Sequence, residues 1–152
     1  MSENQAKLNE EENEKLLAEE SLQWMRFAQN DFNLVQHIYY GDYYPKPLEI
    51  ICYHCSQAVE KGIKALIVHL GSRGGVPKVH DIQFLLTQIR NILKDEKGIE
   101  ITDEMYDWGA ELTKYSVVVR YPNELYVDEN ATKKAVEHTE AFFSWIKEAL
   151  KK

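Results

Sequence analysis

Ile50-Ile-Cys-Tyr-His-Cys-Ser-Gln-Ala-Val-Glu-Lys-Gly-Ile-Lys-Ala-Leu-Ile-Val-His-Leu70 is the stretch that decides the fold, because it carries the clearest two-sided helical pattern in the chain. At 3.6 residues per turn Ile51, Cys55, Val59, Gly62, Ile63, Leu66 and Leu70 fall on one broad stripe, which predicts a helix facing a core. On the other side His54, Gln57, Lys61 and Lys64 follow at spacings of three, four and three, so they form a single polar row. A solvated face usually mixes acids with bases. An imidazole, an amide and two ammoniums in line are suited to meeting an anion.

Working outward, the 152 residues fit one domain with enough length to bury a substantial core. Hydrophobic residues at 44% and charged residues at 28% match a globular average, which excludes wholesale disorder and fibrous structure. With 7 Gly and 4 Pro the chain favours helices over a turn-rich β fold. No apolar run approaches the roughly 20 residues needed to span a bilayer, and the acidic start lacks the basic and apolar regions of a signal peptide. No membrane association and a cytoplasmic location are therefore expected. The net charge of −7 argues against a basic surface for duplex binding. The average hides an asymmetry: residues 1 to 31 hold three bases against eight acids, whereas residues 46 to 78 hold five bases against two acids. A local anion site fits the second segment.

Cys52 and Cys55 form a C-x-x-C, yet no strand precedes it and no further ligands stand at zinc spacing. His54 projects away from both cysteines on a helix. The thiols are read as reduced, buried small hydrophobes, and neither a metal nor a cofactor is implied.

Along the chain, residues 1 to 20 form an acidic N-terminal extension, either a helical continuation of the next element or a disordered tail. From Ser21, a plausible N-cap, Trp24, Ala28, Phe32, Val35 and Ile38 mark a first helix to about Tyr40. Gly41 through Pro47 breaks it, and the opening stretch follows as a second helix from near Pro47 to Gly71. The glycine-rich loop from Ser72 to Lys78 follows a helix rather than a strand and lacks the phosphate-loop signature. A third helix begins around Asp81 with Ile82, Leu85, Leu86, Ile89 and Leu93 inward. A fourth, capped by Thr102 or Asp103, carries Met105, Trp108, Leu112, Tyr115 and Val119 up to Arg120-Tyr121-Pro122. A last helix starts at Asp128 or Asn130 with Ala131, Ala135, Phe142, Ile146 and Ala149 inward. The fold class is all-α, an up-and-down antiparallel bundle of about five helices over residues 21 to 150.

Three features then come together: the Cys-Tyr-His-Cys-Ser-Gln-Ala-Val-Glu-Lys-Gly-Ile-Lys-Ala-Leu run on helix two, Val79-His80-Asp81-Ile82 opening helix three, and Arg120-Tyr121-Pro122 closing helix four. In this order and background they resemble the HEPN family, named for higher eukaryotes and prokaryotes nucleotide-binding. The resemblance covers about residues 21 to 150. It implies a small helical bundle that commonly dimerises, with members that bind nucleotides, accompany minimal nucleotidyltransferases, or cleave RNA without a metal as toxins of toxin–antitoxin pairs. RNase members carry an Arg followed after four to six residues by His, whereas Leu125, Tyr126 and Val127 stand at those distances from Arg120. Attack by a 2′-hydroxyl needs a proton acceptor, which an imidazole supplies and a phenol with pKa ~10 does not.

The expectation is thus a nucleotide- or RNA-binding bundle without the usual RNase activity, a homodimer working with a nucleotidyltransferase partner. Its alternatives are a metal-independent RNase toxin and a pure protein-interaction module. No catalytic residue is assigned. The site expected to bind nucleotide phosphate comprises His54, Gln57, Lys61, Lys64, His80, Arg120 and Tyr121. Arg120 offers a planar fork matched to phosphate, the lysines offer point charges, and the start of helix three beside His80 offers free backbone N–H groups. Tyr121, or the Tyr43-Tyr44 pair, is suited to stacking on a base. Taken singly these residues also have plain roles: Glu60 and Lys64 as a surface ion pair, Asp81 as a cap, Arg120 on the last carbonyls of its helix. His37, His69 and His138, and the tryptophans Trp24, Trp108 and Trp145, are read as structural, with His69 on the apolar side of helix two.

Overall fold

The structure is a computed structural model that describes residues 2–72, 75–94, 98–117 and 126–152. It contains five helices: α1 (Glu3–Tyr40), α2 (Leu48–His69), α3 (Ile82–Leu93), α4 (Asp103–Thr113) and α5 (Glu129–Leu150). No strand occurs among the described residues, so the all-α bundle stands. No helix among them is long and apolar enough to cross a membrane.

The central element is α2, which packs on α1, α3, α4 and α5. Between Ile51 and Val68 only Tyr53, His54 and Lys61 are not buried. Its predicted stripe supplies Ile51, Val59, Ile63 and Leu66 to the core, joined by Ile82, Leu85, Leu86 and Ile89 of α3, Leu112 of α4, and Phe142 and Ile146 of α5. Each such side chain contributes on the order of 1.5–3 kcal/mol by leaving water.

Contacts fix the directions. Ser21 Oγ donates to Ala65 O at 2.8 Å while Asp31 meets His54, so α1 and α2 are antiparallel. Gln83 Nε2 donates to Tyr106 O at 3.0 Å and Ile82 N to Thr113 Oγ1 at 3.1 Å, so α3 and α4 are antiparallel. Trp145 Nε1 donates to Glu100 O at 2.9 Å and Trp108 meets His138, which makes α4 and α5 antiparallel as well. Cys52 Sγ lies 3.6 Å from Thr132 Oγ1 while Gly62 abuts Ile146, so α2 and α5 run the same way. The connection after α2 accordingly returns His80 to the level of Glu60 before α3 begins.

Local chemistry sets the boundaries. Asp81, Thr102 and Asp128 each accept an amide of the first turn of the helix that follows. Gly71, with φ +82°, ends α2 in a left-handed turn in which its N–H reaches Val68 O at 2.9 Å. Two expectations change. Ser21 is not an N-cap: the helix starts at Glu3 with Ser2 as its cap, and the Ser21 hydroxyl instead ties α1 to α2. Residues 3–20 are therefore the exposed first turns of α1, where Glu3, Lys7, Glu11, Lys15 and Glu19 alternate in sign at spacings of four, a pattern that favours helix by about 0.2–0.5 kcal/mol per pair. And α4 ends at Thr113 rather than near Arg120, leaving Tyr115 in the turn beyond it.

Candidate functional site

The polar row of α2 faces α1 and the start of α3. Trp24, Ala28, Asp31, Val35 and Ile38 recur on α1 at intervals of four and three, which places Asp31 on the face turned to α2. Its carboxylate spans the interface: His54 Nδ1 lies 2.8 Å from Oδ1 and Lys61 Nζ donates to Oδ2 at 2.7 Å. Glu60, next to Lys61 in the chain, forms a second cluster. His80 Nδ1 lies 2.7 Å from its Oε1, and Lys64 Nζ donates to Oε2 at 3.3 Å. Glu60 is 3% exposed and Lys64 5%, so this is a buried ion pair and not the surface pair that i, i+4 spacing suggests. The Lys64 ammonium also sits 5.5 Å from the centroid of the Trp24 ring, a cation–π contact. Gln57 is buried one turn before Lys61.

A carboxylate at 2.7–2.8 Å from Nδ1 fixes the tautomer of each imidazole: Nδ1–H donates and Nε2 points elsewhere. The His80 side chain is 66% exposed, against 25% for His54 and 27% for Lys61. His80 is thus the most accessible group of the row and its surroundings, held from behind by a carboxylate out of reach of solvent. Two carboxylates balance two ammoniums, so the lysine charge available to an outside anion is whatever Lys61 can release.

The expected free amides at the start of α3 are not free. Asp81 Oδ1 accepts from Gln83 N at 3.0 Å and Phe84 N at 3.3 Å, and Thr113 Oγ1 accepts from Ile82 N. The capping residue and a neighbouring hydroxyl already satisfy the donors that a phosphate would use. Arg120 and Tyr121 lie outside the described residues. The Thr113–Ile82 bond does bring the end of α4, from which that segment departs, to the first turn of α3 beside His80.

Tyr126 is 87% exposed and Val127 belongs to the core, so neither brings a basic side chain to the site. Tyr43 and Tyr44 are 49% and 96% exposed in the α1–α2 connection, nearer His54 than His80, with the Tyr43 hydroxyl 3.3 Å from His37 Nε2. Cys52 and Cys55 are fully buried and unlinked, and burial pushes their thiols up to about 11 and about 12. Among the described residues no group of three or more His, Cys, Asp or Glu side chains is placed to hold a metal ion. His138 stacks on Trp108 with centroids 4.9 Å apart. His69, expected on the apolar side, is exposed.

Sequence reasoning missed Asp31, and it read Glu60 only as a surface partner of Lys64. Asp31 carried a readable signal, since a lone carboxylate at a core-stripe position of a helix must find a cation. Glu60 carried none beyond its spacing to Lys64.

A sequence model of the HEPN domain matches residues 21–149. No curated protein sequence matches the chain. Among solved structures, that of TT1696 from Thermus thermophilus superposes with a TM-score of 0.61 at 21% identity, covering 85% of this chain and 97% of that one, a likeness of fold.

Proposed function

The chain belongs to the HEPN domain family, and from that premise we propose that it is a nucleotide- or RNA-binding bundle whose anion site lies along the α1–α2 seam and the start of α3. The observation that carries this reading is His80: a buried carboxylate orients it at 2.7 Å, and it projects beside a helix bearing Lys61 and Lys64. His54, Lys61 and His80 face the anion from the described residues, with the buried Gln57 and Lys64 behind them, and with Arg120 as the phosphate fork and Tyr121 as the stacking ring. The protein acts as a homodimer with a minimal nucleotidyltransferase as partner, by analogy with its family, and without the usual RNase activity because the Arg-x4-6-His spacing is vacant. A melting-temperature rise with ATP, GTP or a short single-stranded RNA, abolished by His80→Ala or Arg120→Ala, is the expected result. Unchanged melting with all three ligands would refute it.

One observation favours a metal-independent RNase as the second reading: an imidazole with one nitrogen on a carboxylate and the other outward is arranged as a general base. Incubation with RNA in EDTA separates the two. Cleavage lost in His80→Ala supports the RNase, and equal residual cleavage in both proteins identifies contamination.

A further inference from the structure

From Ser21 to Asn30 α1 carries no acid, although six stand between Glu10 and Glu20. The one charge in this stretch is Arg26, an exposed residue. Its Nε donates to Gln23 Oε1 at 3.1 Å, and its guanidinium carbon lies 4.9 Å from the centroid of the Phe27 ring. No carboxylate among the described residues pairs with it. In a chain of net charge −7 this guanidinium is held by an amide and a ring, which leaves its Nη donors to an outside acceptor.

Phe27 is 46% exposed and stands one turn before Asp31 on the same face of α1, so its ring flanks the carboxylate that holds His54 and Lys61. Asn30, also exposed, lies one turn beyond Arg26 and Phe27, at spacings of four and three. Moving outward across α1 from the seam, the order is thus Lys61, the Phe27 ring and Arg26. Cation, aromatic ring and cation in succession match a single strand of nucleic acid, in which phosphates alternate with bases whose faces are open to rings and guanidinium planes. A duplex hides those faces. A free nucleotide carries its phosphates at one end and has none for the second cation.

Resting on the anion reading of the seam, we propose that Arg26 and Phe27 form a second subsite, which takes the neighbouring nucleotide of a single-stranded polynucleotide. One phosphate meets Lys61 at the seam, and the base extends the stack of Phe27 and Arg26. The Arg26 Nη groups take the next phosphate, and the Asn30 amide reaches the edge of the base. The ligand class of the site is then a single strand and not a free nucleotide.

Fluorescence anisotropy of a short labelled oligouridylate with the full chain, set beside calorimetric titration with ATP, tests this. Phe27→Leu keeps the apolar surface and removes the ring. It is expected to weaken the oligonucleotide about tenfold, with recovery in Phe27→Tyr and no change for ATP. Arg26→Gln is expected to weaken the oligonucleotide and to lower the slope of log K against log salt by about one. His80→Ala weakens both ligands, because it belongs to the seam. Oligonucleotide binding that falls in His80→Ala but is unchanged in Phe27→Leu and Arg26→Gln would overturn the subsite and leave the seam reading standing. Binding that falls in the two α1 variants but not in His80→Ala supports the subsite and overturns the seam reading. If Phe27→Leu changes only the sedimentation of the protein alone, the face is a contact between copies and the subsite falls. Absence of oligonucleotide binding in the parent chain overturns both.

Discussion

Glu60 holds the Lys64 ammonium and the His80 imidazole with one carboxylate from inside the core, and the cost of that arrangement is asymmetric. Removing the acid alone leaves the Lys64 ammonium, 5% exposed, without a counter-charge. Glu60→Gln is expected to lower the unfolding free energy by about 3–5 kcal/mol in urea denaturation. Replacing the pair together, as Glu60→Leu with Lys64→Met, is expected to recover most of the loss, since no unpaired charge then remains buried. At this scale the sequence was half legible. The α2 row named the right cations, but the acids that meet them sit at Asp31, 23 residues before His54, and at Glu60, whose burial depends on elements packed around it. Spacing along one helix reports which residues share a face, and it does not report what the rest of the chain lays against that face.

Between elements α3 approaches α4 closely at Gly109. A Cβ built there would stand 2.8 Å from Ile82 Cγ2 and 3.4 Å from Ile82 Cβ. Ile82 is β-branched and fully buried, so it cannot swing aside. Gly109→Ala gains roughly 1 kcal/mol of helix propensity but overpacks at roughly 1–3 kcal/mol, so a net loss of about 1–2 kcal/mol is expected by thermal denaturation. The helices themselves were largely readable, because Asp81, Thr102 and Asp128 are capping residues placed before apolar periodicity. The start of α1 was not, because Ser21 looks like a cap in sequence and only the Ala65 carbonyl across the interface reveals its use. The end of α4 was overrun for a related reason: Tyr115 continues the helical spacing while sitting in a turn.

For the whole molecule, the bundle and its five elements followed from periodicity, whereas the return of the chain between α2 and α3 did not. Local patterns carry no direction, and only the Glu60–His80 bond shows that α3 starts midway along α2. Burial of weak acids gives the assembled bundle an alkaline limit. The thiols of Cys52 and Cys55 rise from 9.0 to about 11 and about 12, and the Tyr115 phenol from 10.0 to about 12. In each case the neutral form is favoured in the folded state. Stability is thus complete below about pH 9 and declines as pH rises toward about 12, where the unfolded chain has lost protons that the folded one keeps. Chemical denaturation at a series of pH values is expected to show this fall. A thiol reagent is expected to leave both cysteines untouched in the native protein at neutral pH and to modify both in denaturant.

The Asp31 carboxylate, bonded at once to His54 and Lys61, is a resident competitor tethered at high effective concentration. An incoming anion at that seam must evict a group that never diffuses away. Weakly charged anions fail such a contest, and a multiply charged phosphate chain is better equipped to win it, so at the proposed anion site the tether would act as a selectivity filter for charge density. Asp31→Asn is expected to lower that threshold, tightening binding of inorganic phosphate by about tenfold in a competition titration while narrowing its disadvantage against a triphosphate.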